Sequence, residues 1–381
     1  MNILDYRSSI KGKTIVPVVL LLFLSMTGLA LYNYFSQVAL LNREAEDSMK
    51  TAANTAQNII DSRLKQYQQT AAFVAALPTP TAAFAQGDRN RLLNEVGPGF
   101  GHLKTSFGFA QFQYHLPPAT SFLRMHQVDK YGDDLSQIRQ TVVYTNTNKK
   151  GSRGIEVGRG GLGLRGVMPV TYQGKHIGSV EFGGDLSAAI DEAKEVSGLE
   201  YGVILTPTAE SQAWPEWQRQ EKKIGDNVVF YSTNYNLIGK AITPNLLKTP
   251  AAPADQALVV QADVLGKSYD IAIKTLRDYS GQAIGHLVVL KDRTNLISRI
   301  RLVLFVNIII YLVVLGGIAW AVSKGLSKTV IDPVIALTAA ADDISMGKCE
   351  EKIEFKSGDE IQGLAKSLDR MRVSMKKMME E

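Results

Sequence analysis

The stretch Leu302–Val322, LVLFVNIIIYLVVLGGIAWAV, contains no charged residue. An earlier stretch, Ile15–Phe35, reads IVPVVLLLFLSMTGLALYNYF and is equally free of charge. At about 1.5 Å per helical residue, each reaches about 30 Å, the thickness of a bilayer's hydrocarbon core. The chain therefore reads as two membrane-spanning helices, placed at 14–35 and 302–322. A large exported domain lies between them and a short tail follows the second.

Orientation follows from the flanks. Arg7, Lys11 and Lys13 precede the first span with only Asp5 opposing them, which predicts a cytoplasmic N-terminus over 1–13. Two spans return the C-terminus to that side, where Lys324 and Lys328 follow. Arg299 and Arg301 lie on the outer side, but a long domain is translocated largely regardless of its charge. Tyr32, Tyr34 and Trp320 stand at span edges, where amphipathic rings settle. The first apolar run is longer than a signal-peptide core and continues past Gly28-Leu29-Ala30, so it reads as an uncleaved anchor. The formal charge of +5 sits partly in these flanks and implies no nucleic-acid partner. The single cysteine, Cys349, falls in the tail and reads as a small packed hydrophobe. The exported domain therefore holds together without disulfides.

Beyond the first span, Val38, Leu41, Ala45, Met49, Ala52, Ala56, Ile60, Leu64, Tyr67, Ala71 and Val74 recur at the period of one helix face. Pro78 and Pro80 stop this helix. From about Phe107 the period falls to two, predicting a hairpin of Ala110–Leu116 and Ser121–His126 around Pro117-Pro118. A second hairpin joins Gly166–Tyr172 to His176–Phe182. Between them lies a polar segment, Asp129–Gly163, rich in Gly and Asn. A helix is expected over Leu186–Val196. Strands are expected at Tyr201–Leu205, Val228–Ser232, Ala257–Val264, Tyr269–Thr275 and Ala283–Leu290, with a loop over Thr249–Ala254. The fold class is α+β: one long helix followed by two units of antiparallel strands.

Gly158-Arg159-Gly160-Gly161-Leu162-Gly163 matches the dinucleotide fingerprint, but that motif needs a helix to begin within it and a strand follows here. It reads as a turn allowing close backbone approach. The five histidines have no metal-ligand spacing, and no catalytic signature or cofactor motif is found, so neither metal, cofactor nor enzyme activity is expected. Charged residues do concentrate before the helix at 186: Arg124, His126, Asp133, Asp134, Arg139, Glu156, Arg159, Arg165 and Glu181. One reading is a pocket for a small polar ligand, shaped by Arg124, His126, Asp134, Arg139, Glu156, Arg165 and Glu181 with Tyr114 as an aromatic wall. The other is a set of ion pairs that fix loops.

The tail is the most specific signal. Ile331-Asp332-Pro333-Val334 opens a helix with Leu337, Ala341 and Ile344 on one stripe, and Gly347 ends it. Asp359-Glu360-Ile361 opens a second, whose Ile361, Leu364, Leu368, Met371, Met375 and Met378 alternate in steps of three and four. Two chains would bury all four stripes, so a parallel homodimer is expected.

Pro333, Gly347 and Asp359-Glu360 resemble the markers of the HAMP domain, here over 323–376. Gln362-Gly363 departs from the Ile-Gly order that the family usually shows after Asp-Glu. The region 36–298 resembles double Cache sensors, two stacked PAS-like units on a long helix. The resemblance is carried by His115-Leu116-Pro117, Phe122-Leu123-Arg124-Met125-His126, Gly132-Asp133-Asp134, Gly154-Ile155-Glu156-Val157-Gly158 and Gly178-Ser179-Val180-Glu181-Phe182. The distal unit is placed at about 80–190 and the proximal at about 191–295. The resemblance implies a two-pass receptor of the bacterial inner membrane with its sensor outside, most simply a chemoreceptor. It implies a small amino-acid or carboxylate ligand and a downstream signalling domain or kinase complex. Trp320, Pro333, Gly347, Asp359 and Glu360 are the expected relay residues. The chain ends at Glu381, so it reads as the input half of a longer receptor or a naturally short one. The input half of a histidine kinase or nucleotide cyclase, and an adaptor binding a partner protein, remain alternatives.

Overall fold

A computed structural model describes residues 10–158, 161–207, 223–248 and 256–380. Arg7, Arg159 and the loop expected over 249–254 lie outside the described residues. The chain divides into two compact parts, Asn42–Ile297 and the two flanking segments.

In the first part, α1 (Ile10–Ala75) enters as one unbroken helix. The stripe read from the sequence is buried from Met49 to Val74. Its alanines, Ala52, Ala53, Ala56 and Ala71, let two sheets approach the helix closely. Pro78 does not merely end α1. It occupies the first position of α2 (Pro78–Ala85), where a missing N–H costs nothing. Then α3 (Arg89–Phe107) is capped by the Asp88 carboxylate at its start and by left-handed Gly108 at its end.

A first sheet follows, with β1 (Gln111–Leu116), β2 (Thr120–Arg124), β3 (Ser152–Gly158), β4 (Gly161–Tyr172) and β5 (Lys175–Asp185) in the order β2-β1-β5-β4-β3. The polar segment at 129–163 holds two elements that periodicity did not reveal, α4 (Gln140–Asn148) and β3. Next come α5 (Leu186–Ser197) and a second sheet of β6 (Glu200–Leu205), β7 (Lys223–Ile224), β8 (Asn227–Ser232), β9 (Leu258–Val264), β10 (Lys267–Arg277) and β11 (Ala283–Asp292). Its order is β7-β8-β6-β11-β10-β9, with α6 (Tyr235–Ala241) and α7 (Pro244–Lys248) between β8 and β9. Every pairing in both sheets is antiparallel.

Each sheet turns one face to α1. On the first, Phe112, Tyr114, Leu123, Leu164, Val180 and Phe182 pack in the core shared with the helix, and the Phe112 and Phe182 rings stack 4.2 Å apart. On the second, Tyr201, Val203, Ala272, Leu287 and Val289 do the same. Gly166 explains how close the contact is: a Cβ there would lie 2.2 Å from the Gln68 backbone nitrogen.

In the second part, the start of α1 and α8 (Thr294–Leu326) are both long and apolar enough to cross a membrane. They touch through Thr27 and Tyr311, whose hydroxyls are 2.8 Å apart. The helix expected to open at Ile331 is instead continuous with α8. A π-helical turn, Ser327–Ile331, joins α8 to α9 (Asp332–Ser345). Pro333 supplies the reason: without an N–H it cannot continue the α-helical ladder, and the widened turn accommodates its ring. The last helix is α10 (Glu360–Glu380).

Candidate functional site

The alternation of β1 separates its side chains by chemistry. Phe112 and Tyr114 face α1, so Gln111, Gln113 and His115 must face away. Strand register then sets Gln113 beside both Glu181 and Arg124, His115 beside Ser179, and Arg165 beside Gly183. This outer face is covered by α4 and the chain before it, through an apolar patch of Ala119, Leu135, Val142 and Val167. Beneath that cover lies a buried polar cage.

Glu181 is its centre and is wholly buried. Its Oε2 lies 2.9 Å from His115 Nε2. Its Oε1 stands 3.4 Å from Arg165 Nε and 3.9 Å from Arg139 Nε, and makes no hydrogen bond. Glu156 is arranged alike. Oε1 accepts from the Thr141 backbone N–H and hydroxyl at 2.9 and 3.2 Å, while Oε2, 3.8 Å from Arg139, has no hydrogen bond. The Nε donors of Arg139 and Arg165 are likewise buried and unpaired. Four charged atoms, two donors and two acceptors, thus converge while unsatisfied by one another. Such buried orphan groups are costly and rare in a settled core.

Glycines make the space. A Cβ at Gly163 or Gly183 would sit 2.5 or 2.3 Å from the Arg165 guanidinium. The glycine-rich run that imitates a nucleotide fingerprint therefore serves, at Gly163, as a slot for Arg165.

The electrostatics agree with the geometry. Burial pushes the Glu181 carboxyl up, but the His115 hydrogen bond and the Arg165 and Arg139 charges prevail and hold it down to about 2. Burial raises Glu156 despite Arg139 beside it. Burial, assisted by the Arg139 charge, lowers Arg165. His126 falls to about 4, chiefly through burial, with Arg165 and Arg124 adding to the effect against Glu181.

That last shift carries a pH signature. The unfolded histidine takes its proton near pH 6.5 and the folded one only near 4. Stability is therefore present above pH 6.5 and is lost as pH falls toward 4. His176 and His286, also lowered by burial, act in the same direction. Thermal melts at pH 7.5, 6 and 4.5 should show a falling midpoint, and His126→Gln should make that decline shallower. An unchanged slope in the variant would refute the assignment.

The residues expected at this site divide. Arg139, Glu156, Arg165 and Glu181 come together as described, while His126, half-buried, feels the Glu181 and Arg165 charges. His126 lies past the end of β2, so it does not share a strand face with Arg124. Tyr114 is misplaced: it points to the α1 face, against Phe84 and Phe112. Asp134 is misplaced too, since its exposed carboxylate accepts from the Ser136 backbone and hydroxyl. Its neighbour Asp133 takes the expected role, receiving both terminal nitrogens of Arg124 at 2.7 and 2.9 Å. Gln113 Oε1 and the Lys130 carbonyl accept further Arg124 N–H groups. So engaged, Arg124 clamps the 130–133 loop. Gln113, His115 and Ser179 were missed, although their alternation with Phe112 and Tyr114 and with Val180 was a legible signal.

Among the expected relay residues, Gly347 closes α9 with φ 82°. Asp359 caps α10 through the Ile361 and Gln362 backbone N–H groups, and the Gln362 side chain accepts from Gly358 in return. Gln362, the departure from the usual motif, thus acts in the cap. Glu360 lies in the first turn of α10, where the helix dipole favours it. Pro333 follows the π turn and Trp320 is exposed on α8.

Residues 42–297 match the double sensory domain of two-component sensor kinases (dCache), and residues 325–377 match the HAMP domain. The chain belongs to the dCache sensor family. It is a sensory receptor in which a dCache domain precedes HAMP, and neither matched domain is a catalytic one. No curated protein matches the chain in sequence. Among solved structures, the sensor domain of the V. cholerae histidine kinase DctB is similar at 14% identity and a TM-score of 0.41, over 67% of this chain and 97% of that one. The Vibrio cholerae LuxQ periplasmic domain is similar at 13% identity and 0.39, over 64% and 98%. The ligand-binding domain of the Campylobacter jejuni chemoreceptor Tlp3, in complex with 4-methylisoleucine, is similar at 12% identity and 0.42, over 68% and 92%.

The two sheets of the dCache domain differ in chemistry. Where the first carries the cage, the corresponding outer face of the second carries Ile204, Ile271, Ile273, Val288 and Leu290 packed with Ile238 of α6. That face is an ordinary aliphatic core.

Proposed function

We propose that this receptor binds a small zwitterionic ligand, an amino acid or a close relative, in its first sheet unit. The observation that carries the reading is the set of four buried charged atoms that have no hydrogen bond among the described residues: Arg139 Nε, Arg165 Nε, Glu156 Oε2 and Glu181 Oε1. A carboxylate satisfies the two guanidinium donors, and cationic groups of the ligand satisfy the two carboxylate acceptors. The aliphatic face of the second sheet supports assigning the ligand to the first.

Arg139 is the best point of attack, because among the described residues the only hydrogen bond of its side chain is to the Ile138 carbonyl. In a thermal-shift screen of amino acids and carboxylates, a true ligand at 100 times its Kd raises stability by about 2.7 kcal/mol. Arg139→Gln should weaken that ligand about 10- to 100-fold, the loss of one charge-assisted interaction, and should also lower the unliganded melting point, because Glu156 and Glu181 lose a cation at 3.8 and 3.9 Å. A screen in which no amino acid or carboxylate stabilises the chain would refute the proposal.

For the signal, the two apolar helices support a two-pass protein of the inner membrane, with the dCache domain outside and both termini cytoplasmic. The exposed Leu364, Met371 and Met378 of α10 form an apolar stripe that a second copy would bury, supporting a parallel homodimer. Strand β11 ends at Asp292 and α8 begins at Thr294, so a shift of the strand passes directly into the membrane helix. The output proposed is chemotaxis. The family's description as a sensor-kinase domain favours the alternative of a kinase driven directly by the HAMP helices. Fusion of the tail to a chemoreceptor signalling domain and to a kinase domain, each assayed with ligand, separates the two.

A further inference from the structure

We infer that the cleft between β3 and the β10–β11 turn is a side-chain subsite for the same ligand, selecting a basic side chain. This rests on the zwitterion reading of the cage. The cleft has a volume of about 440 Å³ and is lined by Gln137, Gln140 and Glu156 on one side and by Tyr279, Ser280 and Gln282 on the other. The turn is docked firmly. Tyr279 N–H donates to the Ile155 carbonyl at 3.0 Å, and a Cβ at Gly154 would lie 2.5 Å from Tyr279 Cβ.

Glu156 belongs to both cage and cleft. The residue is 3% exposed, its Oε2 is unpaired, and it lines the cleft. Glu181, wholly buried, does not line the cleft. The two carboxylates therefore divide the work: Glu181 receives the α-ammonium and Glu156 a second cationic group. The other lining groups favour such a chain, since amides and a hydroxyl accept from N–H donors, and among the described residues no Lys or Arg lines the cleft to repel it. A ligand seated this way touches β3 and the turn leading into β11, so both sheet units feel it.

The test is calorimetric titration of the full chain in lipid nanodiscs with L-arginine, L-lysine, L-leucine, L-glutamate and L-alanine. Arginine or lysine should bind at least 10-fold tighter than leucine, with glutamate weakest. Glu156→Gln should remove that advantage, lowering the affinity of lysine and arginine more than that of alanine. Gln282 is exposed on the turn, so Gln282→Trp, which fills the cleft from outside, should also cost the basic ligands and spare alanine. Preference for leucine or glutamate, or equal losses for lysine and alanine in both variants, would overturn the subsite and leave the cage standing. Failure of every amino acid to bind would overturn both.

Discussion

Glu181→Ala should destabilise the sensor by about 3–5 kcal/mol, the cost of removing one partner from a buried charged network. Three groups lose a partner at once: His115 at 2.9 Å, Arg165 at 3.4 Å and Arg139 at 3.9 Å. Two of these are guanidinium groups, which cannot relieve the cost by releasing a proton. The cavity left by the side chain adds to the loss. For a domain of this size each kcal/mol moves the melting point by about 2–4 °C, so a fall of about 10 °C is expected. Glu181→Gln keeps the volume and one acceptor and should cost less. The contribution also has a definite pH range. The folded carboxyl is held down to about 2, below its usual 4.5, so its stabilisation is complete above the usual value and is lost as pH falls toward 2. Urea unfolding at pH 7 of wild type, Glu181→Gln and Glu181→Ala measures the series. Equal stability in all three would show that the cage carries no net electrostatic energy.

Gly166→Ala is the second large effect and has a different cause. The added methyl would fall 2.2 Å from the Gln68 nitrogen and 2.5 Å from the Tyr67 carbonyl carbon, both backbone atoms of α1. A flexible side chain could rotate away, but a helix backbone cannot. Either β4 bends or α1 moves off the sheet, breaking contacts around Tyr67, Phe109 and Phe182. Overpacking of a close-packed core costs about 1–3 kcal/mol when side chains can adjust, and this site should exceed that range. Gly87→Ala gives the comparison: that glycine meets nothing within 4 Å, and only its φ of 72° disfavours a side chain, a cost of about 1–2 kcal/mol. Thermal melts of the two variants should rank Gly166→Ala well below Gly87→Ala. The reverse order would mean that α1 is not anchored to the sheet as described.

The sequence by itself determined the features whose cause is local. Charge-free runs set the two apolar helices, the 3.6-residue stripe from Met49 to Val74 set the buried face of α1, and Gly347 and Asp359 marked helix ends because capping uses neighbouring residues. Hairpins were legible for the same reason, since alternation is a property of a few consecutive residues. Helix α4 and strand β3 escaped because their packing partners come from elsewhere: Val142 meets Ala119 and Val167, and β3, at the sheet edge beside β4, accepts from Tyr279 at Ile155. The cage was half visible. A concentration of charge can be counted along the chain, and Arg139, Glu156, Arg165 and Glu181 stand out in it. Which charges meet was decided only by the tertiary structure. His115 and Glu181 lie 66 residues apart, and strand register alone brings them together. A shift of one residue in β1 would put Tyr114 in place of Gln113 on the outer face, and one residue along the loop separates Asp133, which holds Arg124, from Asp134, which turns to Ser136. Pairing across a sheet depends on hydrogen bonds between distant strands, and no local period encodes it.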